Sequence, residues 1–510
     1  MSEGNLQIIL TFLVYFTVML GVGYIAWQRT VSSADYFLGG RSLGPWSAAL
    51  SAGASDMSGW LLLGLPGYAF AAGLEAFWLA AGLLGGTWLN WLIVARRLRI
   101  YSVVADDSLT LPEYFASRFE DRKGLLQPVS AAFILIFFLF YTSSGLVAGG
   151  KLFESVFGIE YEWAVIIGML SVISYTLFGG FLAVCWTDLI QGLLMSAALL
   201  IVPIAALEVS GGADQVFVEI RELNPELLNL FTTSEGQTLS FITIFSLLGW
   251  GLGYFGQPHI LARFKAVQSS GQLTLARRIA VSWTGICMLG ALLVGLAGIV
   301  YTQRSGIQLD DPEAIFMLMV NTLFHPVIAG ILLAAILAAI MSTADSQLLV
   351  CSTAFAEDFY RDLFRVNAGT REVLLVGRLA VIGIAVIATW LAMNPDSSVL
   401  GMVSYAWAGL GAAFGPALLL SLYWKRMTGL GAMAGIVVGA VTVLIWKPLS
   451  GGVFDLYEIV PGFVISMIAC VLFSFLGRKP SRDMVDRFEK VESRTCSASR
   501  FDDEEPSLSS

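Results

Sequence analysis

Asp56 stands in the stretch SAGASDMSGW, where seven of ten positions are Gly, Ala or Ser. Small residues let helices pack closely, and glycine lets the backbone leave the helix and free its carbonyl groups. A carboxylate there either sets a negative field for a cation or pairs with a neighbour in a tight helix contact. A second stretch, AAIMSTADSQ, gathers the hydroxyls of Ser342 and Thr343 with Asp345, Ser346 and Gln347. Such oxygens suit a hard cation, although Ser and Thr also bond back to the preceding helical turn. A third stretch, GWGLGYFGQPHI from Gly249 to Ile260, contains a literal GxGxxG at Gly251, Gly253 and Gly256. That spacing means dinucleotide binding only between a strand and a helix, and here it lies in an apolar run. Pro258 removes a backbone donor, so the segment reads as a kinked helix or as one interrupted inside the bilayer, with Trp250 and Tyr254 as cavity walls. Asp188, beside Trp186 and Thr187, is either an acid at a helix N-terminus or a functional group.

The elements that must position these residues are membrane spans. The chain has 510 residues, 57% of them hydrophobic and 13% charged, with a mean hydropathy of +0.77. These values exclude a soluble enzyme, a secreted protein and a single-pass receptor. Apolar runs long enough for ~30 Å of hydrocarbon recur near 6–27, 46–72, 75–95, 125–150, 162–183, 186–208, 238–260, 280–302, 327–353, 373–393, 398–423, 428–446 and 459–477. They predict an all-α polytopic membrane protein of about thirteen spans. The first run is longer than a signal-peptide core and reads as a retained span. Asp56 then falls about 15 Å into the bilayer, where a charge costs roughly 2.5 to 3.5 kcal/mol on insertion scales. Asp188 falls in the link between the fifth and sixth spans.

With Met1 outside, 25 of the 29 Lys and Arg residues lie in inside loops or the tail, against four outside. The positive-inside rule therefore predicts an N-terminus outside and a C-terminus inside. Five scattered cysteines make no disulfide framework or zinc motif. His259 and His325 stand alone, and the absence of GxxxxGK[ST] disfavours ATP-driven transport by this chain. The tail from Arg478 to Ser510 is too polar for a core and is expected to be disordered or loosely surface-bound, and the loop from about 210 to 237 has room for a short helix around 215–222.

The two glycine-interrupted spans, the second and the seventh, are five apart and hence run in opposite directions. That order predicts inverted repeats whose broken helices meet at a midplane site. The divisions are 1–45 (first span and loop), 46–208 (first repeat), 209–237 (periplasmic loop), 238–423 (second repeat), 424–477 (two further spans) and 478–510 (cytoplasmic polar tail).

Four stretches, ASDMSGWLLLGLPG, YTSSGLVAGGKLFE, WGLGYFGQPHIL and IMSTADSQLLV, resemble the sodium:solute symporter family from the first span to the last. The second and third favour its proline branch over its sugar and vitamin branches. The resemblance implies a leucine-transporter-like fold, a secondary active transporter rather than an enzyme, and sodium-coupled uptake of L-proline in a lipid bilayer. It places Na+ between spans two and nine, on the carbonyls of Ala54, Met57 and Ala339 and the hydroxyls of Ser342 and Thr343. It places the substrate among Ser58, Trp60, Tyr141, Trp250, Tyr254 and Pro258, and gives Asp56 and Arg41 a bearing on sodium. Asp188 joins them as a candidate coupling residue, and a second cation site near Asp188, Asp345 and Ser346 stays open. The alternatives are a symporter of this fold for another amino acid or a carboxylate and, remotely, an intramembrane aspartyl protease using Asp56 with Asp345.

Overall fold

A computed structural model describes residues 3–29, 38–121, 124–361, 364–365 and 368–498. Among them there are helices and loops, and the only β pairing is two isolated bridges. The first half holds α1 (Glu3–Arg29), α2 (Pro45–Asp56), α3 (Leu65–Ala72), α4 (Ala76–Leu89), α5 (Ala95–Val104), α6 (Leu111–Arg118), α7 (Leu126–Phe157), α8 (Tyr161–Val209) and α9 (Ala213–Leu223). The second holds α10 (Phe241–Gly249), α11 (Pro258–Ala266), α12 (Leu273–Ser305), α13 (Ile315–Leu323), α14 (Pro326–Thr353), α15 (Thr370–Leu391), α16 (Val399–Tyr423), α17 (Gly429–Trp446), α18 (Ile459–Leu476) and α19 (Arg482–Ala498).

Among the described residues ten helices are long and apolar enough to cross a membrane, and Tyr161–Ser174, Phe241–Gly256 and Pro312–Leu323 are shorter apolar helices. The expected thirteen spans are thus not matched one for one, because the chain interrupts several of them. α8 runs for 49 residues and is broken only at Gly180 (φ 64°, ψ −179°), a conformation that only glycine adopts cheaply. The break falls ahead of the expected link, and it moves Asp188 out of that link into a helix interior.

The packing is layered. The most apolar window of α14 is 83% buried and that of α1 only 28%, so the hydroxyl-bearing α14 is central and α1 lies at the periphery. Glycine permits the closest approaches: a Cβ on Gly53 would lie 2.4 Å from the Trp283 ring, and one on Gly290 would lie 2.1 Å from the Leu199 carbonyl oxygen.

Two peripheral helices bear on the sequence expectations. α9 forms where a short helix was expected, and its Val216 and Ile220 pack on Leu296 and Val300 of α12. The polar tail, expected to be loose, instead contains α19. Met484, Phe488 and Val491, at i, i+4 and i+7, are buried and make one apolar stripe. Arg487 bonds Asp106 at 3.0 Å and Lys425 bonds Glu489 at 2.6 Å. The Ser117 hydroxyl, helped by Arg487, holds the Asp106 carboxyl below its ordinary pKa. Residues 499–510 lie outside the described residues.

Candidate functional site

The first break follows α2. Pro45 opens that helix at a position that needs no N–H, and it ends when Met57 leaves helical geometry (φ −84°, ψ 76°). The Ser58 N–H, which a continuous helix would direct to Ala54, turns instead to the Asp56 carbonyl at 3.0 Å. The Ala54 carbonyl is left to side chains. It accepts from Ser342 Oγ at 2.9 Å and from Thr343 Oγ1 at 3.3 Å, and Ser342 Oγ also reaches the Ala339 carbonyl at 3.2 Å. Ala54, Ala339, Ser342 and Thr343 thus come together in one fully buried knot between α2 and α14. Met57 lies at the break itself, three residues along the chain from Ala54.

Asp56 lies two residues beyond Ala54 and is 2% exposed. Its Oδ2 accepts from Tyr254 Oη at 2.6 Å, while Oδ1 has no hydrogen-bond partner. Its carbonyl collects three donors: the Ser58 N–H, Trp60 Nε1 at 3.1 Å and Tyr141 Oη at 3.1 Å. Three of the expected substrate residues, Trp60, Tyr141 and Tyr254, therefore converge on a single aspartate. Ser58 adjoins them, and its hydroxyl is buried and unpartnered. A buried carboxylate with one oxygen unpartnered favours a cation nearby.

The second break lies between α10 and α11. Residues Trp250–Gly256 form a tighter 3-10 turn and Gln257 is extended, before Pro258 opens α11. The freed carbonyls are held by the scaffold. Trp407 Nε1 donates to the Trp250 carbonyl at 2.7 Å, Asn90 Nδ2 to the Tyr254 carbonyl at 3.0 Å, and Gln257 Nε2 to the Gly253 carbonyl at 3.3 Å. The GxGxxG glycines serve this packing. A Cβ on Gly253 would lie 1.8 Å from Trp407 Nε1, one on Gly251 would lie 2.3 Å from the Gly82 oxygen, and one on Gly256 would lie 2.3 Å from the Leu410 oxygen. Of the two remaining substrate candidates, Trp250 stacks on Tyr457 with ring centroids 5.3 Å apart. Pro258 lines a small cavity of about 40 Å³ with Phe181, Arg263, Lys265 and Asp358.

Asp188 is buried in α8, contrary to its expected place in a link. Its Oδ2 accepts from Ser51 Oγ at 2.7 Å, Ser55 Oγ at 3.2 Å and Arg263 Nη2 at 3.1 Å. Arg263 also reaches Ser346 Oγ at 2.6 Å and the His259 carbonyl at 2.8 Å. Asp188 is therefore an ion-pair partner within a network that ties α2, α8, α11 and α14 together. Ser51, Ser55 and Arg263 were not singled out in the sequence, where Arg263 counted only as an inside charge. Arg41 does not touch Asp56. It bonds the Lys265 carbonyl at 2.8 Å and Asp107 at 2.7 Å, which links the start of α2 to the end of α11.

A family model described as the sodium:solute symporter family matches residues 36–439. The chain belongs to the sodium:solute symporter family. Membership in a family of transporters leaves no place for the protease alternative. The chain is 51% identical to the osmoregulated proline transporter OpuE of Bacillus subtilis (strain 168), covering 94% of this chain and 96% of that one. It is 49% identical to the sodium/proline symporter of Escherichia coli (strain K12), covering 96% and 97%. Among solved structures, a Na+-coupled sialic acid symporter in its substrate-bound outward-open state superposes with a TM-score of 0.78 at 22% identity, over 93% of this chain and 99% of that one. Mhp1, a nucleobase-cation-symport-1 family transporter, gives 0.53 at 14% identity, over 90% and 99%. The fold is the leucine-transporter type expected from the sequence.

Proposed function

We propose that this protein takes up L-proline together with sodium across the bacterial cytoplasmic membrane. The observation that carries the reading is the Ala54 carbonyl, freed by the α2 break and met by the hydroxyls of Ser342 and Thr343, in a chain about half identical to named proline transporters along nearly its whole length. Sodium replaces the hydroxyl protons as the partner of these oxygens, with the carbonyls of Met57 and Ala339 completing its shell. Asp56 lowers the cost of bringing the cation so deep without having to touch it. Proline then lies among Ser58, Trp60, Tyr141 and Tyr254, with Trp250 and Pro258 at the two ends of the pocket. Aromatic faces suit its ring, and the N-terminus of α11 suits its carboxylate. Arg41 and Asp188 couple the site to α11, whose movement opens the path inward.

The N-terminus lies on the periplasmic side and the C-terminus in the cytoplasm, an orientation supported by the lopsided distribution of Lys and Arg. Because zwitterionic proline carries no net charge, each sodium moves one charge, worth about 2.3 kcal/mol per 100 mV. The test is uptake of labelled proline into proteoliposomes under an imposed sodium gradient, with other amino acids and carboxylates as competitors. Uptake that ignores the sodium gradient sinks the coupling, and displacement of proline by another solute at lower concentration reassigns the substrate.

A further inference from the structure

We infer that Tyr457, which lies outside the ten-helix core, is the positioning residue that seals the outer end of the substrate site by clamping Trp250. The inference rests on the symport reading and extends it to the loop between α17 and α18. Trp250 is the substrate-wall residue farthest toward α10, and its ring stacks on Tyr457 with centroids 5.3 Å apart and planes 30° apart. Tyr457 is held from three directions. Its N–H donates to Ser246 Oγ of α10 at 2.9 Å, its hydroxyl donates to the Ser404 carbonyl of α16 at 2.6 Å, and its ring covers Trp250. One residue thus bridges the outer arm of a broken helix and the helix whose Trp407 caps that same break.

The backbone around the stack is shaped to admit the loop. A Cβ on Gly249 would lie 2.6 Å from Val460 and 4.0 Å from the Tyr457 ring, and one on Gly411 would lie 2.9 Å from Ile459. The loop is itself pinned, by Trp446 Nε1 to the Leu456 carbonyl at 2.9 Å and by the Lys447–Glu458 pair at 3.2 Å. Opening the outer end requires Trp250 to leave Tyr457, so breaking this stack by substitution shifts the protein toward the outward-open state.

Thr87, 5% exposed and next to Gly86, which packs on Gly251 of the second break, serves as the reporter. In a Thr87→Cys background without proline, a membrane-impermeant maleimide added outside is expected to label at least tenfold faster when Tyr457→Ala is added. Tyr457→Phe keeps the stack and loses the Ser404 bond, so it should accelerate labelling two- to threefold. The sodium concentration for half-maximal uptake should fall in Tyr457→Ala while turnover slows. A purely structural role would change membrane abundance and leave the labelling rate per molecule unchanged, and that result overturns the proposal. If Tyr457→Ala does not reach the membrane, Ser246→Ala and Tyr457→Phe decide: faster labelling supports the clamp and unchanged labelling rejects it. No labelling measurement involves proline, so failure here is separable from failure of the substrate assignment.

Discussion

The two interrupted helices both expose carbonyl groups and satisfy them by different means. At the α2 break the partners are small hydroxyls, Ser342 and Thr343, on a helix that only packs alongside. At the α10–α11 break they are the large side chains Trp407, Asn90 and Gln257, and Trp407 is wedged against Gly253, which leaves no room for a methyl group. A hydroxyl can turn its proton away and offer a lone pair to an incoming cation, because it is both donor and acceptor. An indole N–H is a donor only, and a carboxamide would have to flip its whole group to offer its oxygen. In the proposed reading, the first break exchanges its partner and the second keeps it, which divides the ion site from the substrate wall.

The largest expected effect tests the fixed break. Gly253→Ala drives a methyl group into Trp407 and breaks its bond to the Trp250 carbonyl, an overpacking that costs about 1–3 kcal/mol on top of the orphaned carbonyl. Transport should fall more than tenfold, with proline affinity lost first. Normal proline uptake at normal membrane abundance would show that the wall is not fixed.

Asp56 comes next, and the substitution separates field from packing. Asp56→Asn can still accept from Tyr254 Oη, so folding and membrane abundance should hold. The sodium concentration for half-maximal uptake should nevertheless rise at least tenfold, or about 1.4 kcal/mol. Asp56→Glu keeps the charge on a longer arm and should retain more function than Asn. An Asn variant with unchanged sodium dependence would reduce Asp56 to a hydrogen-bonding residue.

These contrasts also mark how far the sequence could be read. Asp56, Ser342, Thr343 and the glycines of residues 249–256 were legible because polar or helix-breaking residues inside apolar runs are expensive and so draw notice. The partners that fix the second break were not. Trp407 and Asn90 lie in ordinary span sequence, and nothing local says that an indole 157 residues away will take the Trp250 carbonyl. Asp188 was misplaced because a hydropathy minimum was taken for the loop, whereas the actual break is the glycine at 180, whose positive φ leaves no trace in hydropathy. α19 was missed for the converse reason: a mean composition hides an apolar stripe of three residues. The two helix breaks nevertheless fall in the stretches where the sequence placed them, since a run of small and helix-breaking residues inside an apolar span is visible without any neighbour.

A smaller effect is expected at the exchangeable break. Ser342→Ala or Thr343→Ala removes one oxygen while the Ala54 carbonyl keeps the other hydroxyl. Each should raise half-saturating sodium about three- to tenfold, the range of one hydrogen-bond-sized contribution of ~0.5–1.5 kcal/mol. Proline affinity at saturating sodium should stay within a factor of two. If both variants keep their sodium dependence, the cation sits elsewhere.

The smallest effect is predicted for Gln257→Ala, which sharpens the comparison from the other side. Gln257 Nε2 is shared between the carbonyls of Gly253 and Trp407, at 3.3 Å to each, long for an N–H···O bond. Its Oε1 is buried without a partner, so truncation removes an unsatisfied acceptor together with two weak bonds, and the two consequences largely cancel. Proline half-saturation should shift by less than threefold and sodium half-saturation not at all, measured at equal abundance with sodium and proline titrated separately. The sodium titration decides. Gln257 belongs to the break whose partners stay fixed, so a sodium shift as large as that of Ser342→Ala would mean that the second break also carries the ion and that the division between exchangeable and fixed carbonyls is wrong.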